Sequence, residues 1–212
     1  MTVEAKICGL STPETVDAAV EAGAGFVGFV TFPRSPRHIE SLDELKALGA
    51  RVPRSVIRVG LFVDADDALI DARLATGAID MLQLHGSETP ERVAALKART
   101  GKPVMKVIKV TRGEDVEQGV AAYAGVADRL MFEPADGILP GGNAKAFDWT
   151  ILSGRKIPVP WMLAGGLTPD NVTEAVRVTG APAVDVSSGV ESSRGVKSVE
   201  LIRAFLDRVK AL

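Results

Sequence analysis

Residues 159–190, VPWMLAGGLTPDNVTEAVRVTGAPAVDVSSGV, decide the fold. The apolar run Val159 to Ala164 ends in a glycine pair, and the segment Asp170 to Val178 then carries a helical period. A second apolar run, Ala183 to Ser187, ends in Ser-Gly. Short β-branched or apolar runs bounded by turn residues read as strands, and a 3.6-residue period between them reads as a crossover helix. Thr168-Pro-Asp-Asn171 puts a hydroxyl and a proline where a first helical turn begins. Strand, helix, strand is the repeating unit of a parallel sheet.

The same alternation extends outward to both ends of the chain. Further strand-like runs are Val3 to Cys8, Gly25 to Phe32, Val56 to Val63, Ile79 to His85, Val104 to Val110 and Arg129 to Glu133. Amphipathic stretches fall between them at Thr12 to Ala22, Leu42 to Leu48, Ala68 to Ala75, Pro90 to Arg99 and Val116 to Tyr123, and another closes the chain at Val199 to Val209. Phe147 to Leu152 is shorter and reads as a brief helix. Eight strands met by eight helical segments favour a closed (β/α)8 TIM barrel of the α/β class over an open doubly wound sheet. With 212 residues, 46% of them hydrophobic, the chain is long enough to bury one barrel core, so residues 1–212 read as one domain.

Composition narrows the function. A formal charge of -2, from 25 basic and 27 acidic residues, gives no electrostatic footprint for nucleic acid or anionic lipid. One cysteine forms no internal disulfide, and two histidines beside it are too few and scattered for a metal set, so a reducing compartment and a site free of metal and cofactor are expected. No leader pattern precedes Val3 and no apolar run nears the roughly 18 residues that span a bilayer, which implies a cytoplasmic protein. Its expected partner is a small molecule, and homo-oligomerisation is an open alternative.

Barrel chemistry gathers at the carboxyl ends of the strands. Cys8 ends the first run, Arg37 follows the second, Asp64 ends the third, Gln83 and His85 the fourth, Glu133 the sixth, and Asp185 with Ser187 the eighth. Alternation puts Lys6 with Cys8, and Gln83 with His85, on shared faces. After strands seven and eight the turns Gly165-Gly166 and Ser188-Gly189 offer backbone amides, the usual phosphate position in this architecture, although a tight turn alone gives the same pattern. Taken singly, Cys8 fits an inert buried thiol and His85 a hydrogen-bonded rim residue. Asp64 and Asp148 fit helix caps, Trp149 and Trp161 fit packing, and at most one of Lys106 and Lys109 faces the interior.

Taken together, Lys6-Ile-Cys-Gly9, Ser35-Pro-Arg-His38, Val59-Gly-Leu-Phe-Val63, Gln83-Leu-His-Gly86, Gly141-Gly-Asn143 before Phe147-Asp-Trp149, Ala164 to Asn171 and Val184 to Glu191 resemble the phosphoribosylanthranilate isomerase family in order and spacing. The resemblance spans nearly the whole chain. It implies an Amadori rearrangement of N-(5-phosphoribosyl)anthranilate, a phosphorylated aminosugar, in tryptophan biosynthesis. It makes Cys8 the general base, Arg37 the anchor of the anthranilate carboxylate, Gly165, Gly166, Ser188 and Gly189 the phosphate cradle, and Asp185 a partner of the sugar hydroxyls, with Gln83 and His85 beside the substrate. No cofactor is implied, because the substrate's own iminium is the electron sink. Lys6 and that iminium are expected to favour the Cys8 thiolate.

Two departures stand out. The family's acid aspartate at the end of strand six is Glu133 here, and the glycine loop carries Ala144. Three readings of Glu133 follow: it acts as the acid after a backbone adjustment, Asp136 replaces it, or the chain is a non-catalytic or altered-specificity phosphosugar-binding barrel.

Overall fold

The computed structural model describes residues 2–135 and 148–212. Eight parallel strands close a barrel in sequence order: β1 (Glu4–Cys8), β2 (Phe26–Val30), β3 (Ile57–Phe62), β4 (Met81–Leu84), β5 (Val104–Val110), β6 (Arg129–Pro134), β7 (Trp161–Leu163) and β8 (Ala183–Val186). The closing pair is β1 with β8, in a register that sets Lys6 opposite Asp185. Among the described residues seven α-helices lie outside: α1 (Pro13–Glu21), α2 (Leu42–Ala50), α3 (Asp67–Leu74), α4 (Pro90–Thr100), α5 (Gly113–Tyr123), α6 (Val172–Thr179) and α7 (Val199–Lys210). The described part of the crossover from β6 to β7 holds a single 3-10 turn at Trp149–Leu152, where the sequence has only a brief helical segment. An antiparallel hairpin, β9 (Glu191–Ser193) and β10 (Val196–Lys197), follows β8 and had no signature in the hydrophobic pattern.

Local chemistry fixes the helix starts. Thr12 and Thr89 accept from the amides of Thr15 and Arg92, each just ahead of a proline whose fixed φ suits the first helical position. Asp148 caps the 3-10 turn through the Thr150 amide at 3.1 Å. Asp64 does not cap: Asp66 begins α3, while the Asp64 carboxylate reaches across to the Ser87 amide at 2.7 Å and ties the loops after β3 and β4 together. Helix α6 begins two residues later than its periodicity suggests. Asn171 turns back to accept from the Thr168 amide at 2.8 Å and donates to the Gly166 carbonyl at 2.9 Å, so this segment braces the glycine pair instead of forming a helical turn.

Two cores result from strand alternation. Outward residues such as Ile7, Phe29, Phe62, Leu82, Phe132 and Leu163 bury against Val16, Leu45, Ile70, Leu96 and Phe205 of the helices. Each such side chain contributes about 2 kcal/mol of burial. Trp161 meets Phe132 edge-on at 5.8 Å, a packing role. The barrel interior is a separate cluster built from Phe26, Val59, Met81, Met105, Val107, Met131 and Met162. Below it Arg129 pairs with Glu4 at 3.0 Å and lies over the Phe26 ring, filling the amino-terminal end. A filled floor leaves the carboxyl-terminal mouth as the open face.

Candidate active site

A cavity of about 440 Å³ occupies that mouth. Cys8, Arg37, Gln83, His85, Glu133, Gly165, Gly166, Asp185, Ser188 and Gly189 all line it, so the ten residues singled out from the sequence meet in one place. Asp136 and the loop from Gly141 through Ala144 lie outside the described residues.

Cys8 ends β1 on the interior face, above Lys6, whose side chain is 0% exposed. A Cβ on Gly28 of the next strand would sit 3.1 Å from both the Cys8 Sγ and the Lys6 Nζ. Glycine there leaves room for a thiol and an ammonium side by side. Lys6 donates to Asp185 at 2.7 Å, so its charge is already balanced by a carboxylate. Burial therefore dominates at Cys8 and pushes the thiol up, with Asp185 adding to the rise and Lys6 and Lys197 opposing it. Lys6 thus favours the thiolate, as expected of an ammonium beside a thiol, but its partner Asp185 offsets much of its field and burial outweighs what remains.

Glu133 stands across the mouth at the end of β6. Its Oε1 accepts from His85 Nε2 at 2.7 Å and from Lys109 Nζ. Burial pushes this carboxyl up, but the hydrogen bonds and charges of His85 and Lys109 override it and hold the group below the usual glutamate range. Lys109 is the register partner of Glu133 on β5 and projects to the mouth, whereas Lys106 points the other way into a buried pair with Glu88 at 2.9 Å.

Arg37 carries two hydrogen bonds to Glu191, Nε to Oε1 at 2.5 Å and Nη2 to Oε2 at 2.7 Å. Glu191 also accepts from Lys197 Nζ at 2.7 Å and from the Gly195 amide at 2.9 Å. The same ammonium donates to the Ser187 carbonyl at 2.8 Å. An incoming carboxylate thus meets a guanidinium fixed in orientation by a bidentate partner. Burial pushes Glu191 up, and the Arg37, Lys197 and Gly195 donors more than reverse this, bringing it to about 2 from 4.5. A depressed carboxyl stabilises the folded state above its unfolded value and loses that contribution as pH falls toward its folded value. We therefore expect Glu191→Gln to flatten the loss of denaturant-unfolding stability between about pH 4.5 and 2.

The glycine turns after β7 and β8 pack on one another. Gly165 has φ of 93°, and a Cβ on it would overlap the Pro134 ring. On Gly189 a Cβ would overlap the Leu167 carbonyl oxygen. At the three glycines of these turns the main chain borders the cavity with no side chain between. Among the described residues no cluster of three His, Cys, Asp or Glu is placed to ligate a metal, and no helix is long and apolar enough to cross a membrane.

Comparison with known proteins decides the family. Residues 5–208 match the family model for N-(5'phosphoribosyl)anthranilate (PRA) isomerase. The chain belongs to the PRA isomerase family. The PRA isomerase of Paramagnetospirillum magneticum is 54% identical over 209 residues, covering 97% of this chain and 96% of that one. The crystal structure of the PRA isomerase from Thermotoga maritima superposes with a TM-score of 0.88 at 33% identity, covering all of both chains. A PRA isomerase in complex with reduced 1-(o-carboxyphenylamino)-1-deoxyribulose 5-phosphate superposes with a TM-score of 0.83 at 31% identity, again over all of both chains.

Sequence reasoning did not single out Lys197 or Glu191, and it left open which of Lys106 and Lys109 faces the interior. Strand alternation carries the signal for Lys109, which shares a face with Met105 and Val107. Lys197 sits on a two-residue strand, where no period can be read.

Proposed function

We propose that this PRA isomerase chain converts N-(5-phosphoribosyl)anthranilate to 1-(2-carboxyphenylamino)-1-deoxyribulose 5-phosphate by acid-base catalysis in the cytoplasm, and that residues 1–212 work as one phosphate-binding barrel domain. The observation that carries this reading is a thiol and a carboxyl lining one cavity whose wall is formed by the two glycine turns. In the first step the Glu133 carboxyl gives its proton to the furanose oxygen. The bond from that oxygen to C1 breaks toward oxygen, and the aniline nitrogen pair forms the iminium. The Cys8 thiolate then removes the C2 proton, and the C–H electron pair neutralises the iminium to give an enaminol. Loss of the C2 hydroxyl proton with protonation at C1 yields the ketone. The cationic intermediate offsets the burial that raises the thiol, so Cys8 gives its proton to solvent as the iminium forms and is a thiolate when the C2 proton has to be removed.

Arg37 serves the anthranilate carboxylate in this reading, Asp185 the sugar hydroxyls, and Gln83 and His85 flank the acid. The amides around Gly165, Gly166, Ser188 and Gly189 hold the phosphate. Gly189→Ala drives a Cβ into the Leu167 carbonyl and should spread the two turns. A rise in KM of about tenfold with a smaller change in kcat is expected, together with roughly 1–3 kcal/mol of destabilisation by chemical unfolding. The overall reading is tested by mixing the chain with N-(5-phosphoribosyl)anthranilate and following the loss of substrate fluorescence. Steady conversion is expected; tight binding without conversion would leave a phosphosugar-binding barrel in its place.

A further inference from the structure

The acid has a supply problem. Glu133 Oε1 is claimed by an ammonium and by an imidazole N–H, a setting that keeps a carboxylate charged. A general acid must nonetheless begin each turnover with a proton. Two features point to where that proton waits. His85 Nε2 is 2.7 Å from Glu133 Oε1, while the His85 side chain is 22% exposed and so reaches solvent as well. Gln83, only 1% exposed, sets its amide nitrogen 3.3 Å from His85 Nδ1 and leaves its Oε1 buried with no protein partner. That amide serves a neutral ring as donor. Turned by half a revolution it presents the orphaned oxygen to Nδ1–H, which is what a doubly protonated ring requires.

We propose that His85 is a positioning residue that stores the proton of the acid, and that Glu133 delivers it to the substrate. This inference rests on the isomerase reading. The transfer balances simply. The imidazolium Nε2–H passes its proton to the Glu133 carboxylate, the carboxylic acid passes it to the furanose oxygen as the ring opens, and solvent reloads the imidazole. Lys109, whose Nζ lies 3.3 Å from His85 Nε2 and whose side chain is 46% exposed, opposes the second ring proton by like charge. Among the described residues, the other charged or titratable groups around His85 are Asp64, which reaches the Ser87 amide from the loop after β3, the pair of Lys106 and Glu88 bonded to the Gly86 backbone, and, across the cavity, Cys8, Arg37 and Asp185.

The signs of two substitutions follow. Removing the anion lowers the ring's proton affinity, and removing the cation raises it. The chain has two histidines, so ring-nitrogen NMR resolves His85, with His85→Gln giving the assignment. The His85 ring signals are expected to change at lower pH in Glu133→Gln than in the wild type, and at higher pH in Lys109→Met. His85→Gln keeps an N–H donor for Glu133 but carries no titrating proton. Its kcat is expected to drop at least about tenfold with KM within about threefold, and the fall of kcat with rising pH that tracks the His85 midpoint should vanish. Midpoints that do not move, or His85→Gln with the wild-type kcat and pH profile, overturn the proposal. Midpoints that move in the two variants while the wild type shows no turnover support the proton-storing pair and overturn the isomerase reading alone.

Discussion

Cys8→Ala should cost about a thousandfold or more in kcat while leaving KM within a few-fold and the unfolding midpoint nearly unchanged. The magnitude follows from the role. A positioned base contributes roughly 10²–10⁴-fold, and the neighbouring side chain on that face of β1, Lys6, is paired with Asp185 as an ammonium and has no lone pair with which to take a proton. The small stability effect follows from the surroundings: Gly28, Lys6 and Asp185 hold their own contacts when a single sulfur is removed. Cys8→Ser discriminates further. A hydroxyl is somewhat smaller than the thiol and hydrogen-bonds at least as well, yet it is a far poorer proton acceptor than a thiolate at neutral pH. It should be as inactive as Cys8→Ala, which steady-state turnover of the fluorescent substrate measures directly. Near-normal turnover in either variant would move the base elsewhere.

Glu133→Gln should lower kcat by about a hundredfold to ten-thousandfold, because the amide keeps the shape of the side chain and its reach to His85 but has no acidic proton to give. Glu133→Asp is the more informative partner. The shortened side chain withdraws from His85 Nε2 and Lys109 Nζ, and a displacement near 1 Å costs on the order of a hundredfold if those contacts set the acid's position. A variant Glu133→Asp as fast as the wild type would mean that the barrel tolerates either length. Asp136→Asn is expected to leave kcat within about threefold. A large loss there, with none in Glu133→Gln, would reassign the acid.

The barrel was readable because its hydrophobic period changes from 2 to 3.6 and back along the whole chain, and because each strand turns polar only at its carboxyl end. Residues 159–190 alone carry two full strand ends with their glycine turns. The site was readable to the same depth: Cys8, Glu133 and Asp185 face one cavity because strand alternation dictates it. What escaped were the partners. Asp185 shares a face with Ser187 in the sequence, but its pairing with Lys6 depends on the closing of β8 onto β1, a contact between opposite ends of the chain. That closure also places beside the thiol the carboxylate that offsets the field of Lys6. The bond between Arg37 and Glu191 depends on the path of the loop after β8, which no period records. Asp64 looked like a cap because an aspartate ahead of a helix usually is one; two residues later Asp66 does that work.

The central claim is a thiol and a carboxyl facing each other across one sugar. A crystal structure of the chain with reduced 1-(o-carboxyphenylamino)-1-deoxyribulose 5-phosphate bound tests it most directly. The expected result places the phosphate on the amides of Gly165, Gly166, Ser188 and Gly189, with the Cys8 Sγ and the Glu133 carboxyl within hydrogen-bonding reach of the ligand on opposite sides of its C1–C2 bond. A phosphate seated at another edge of the barrel, or a Cys8 side chain turned away from that bond, would contradict it.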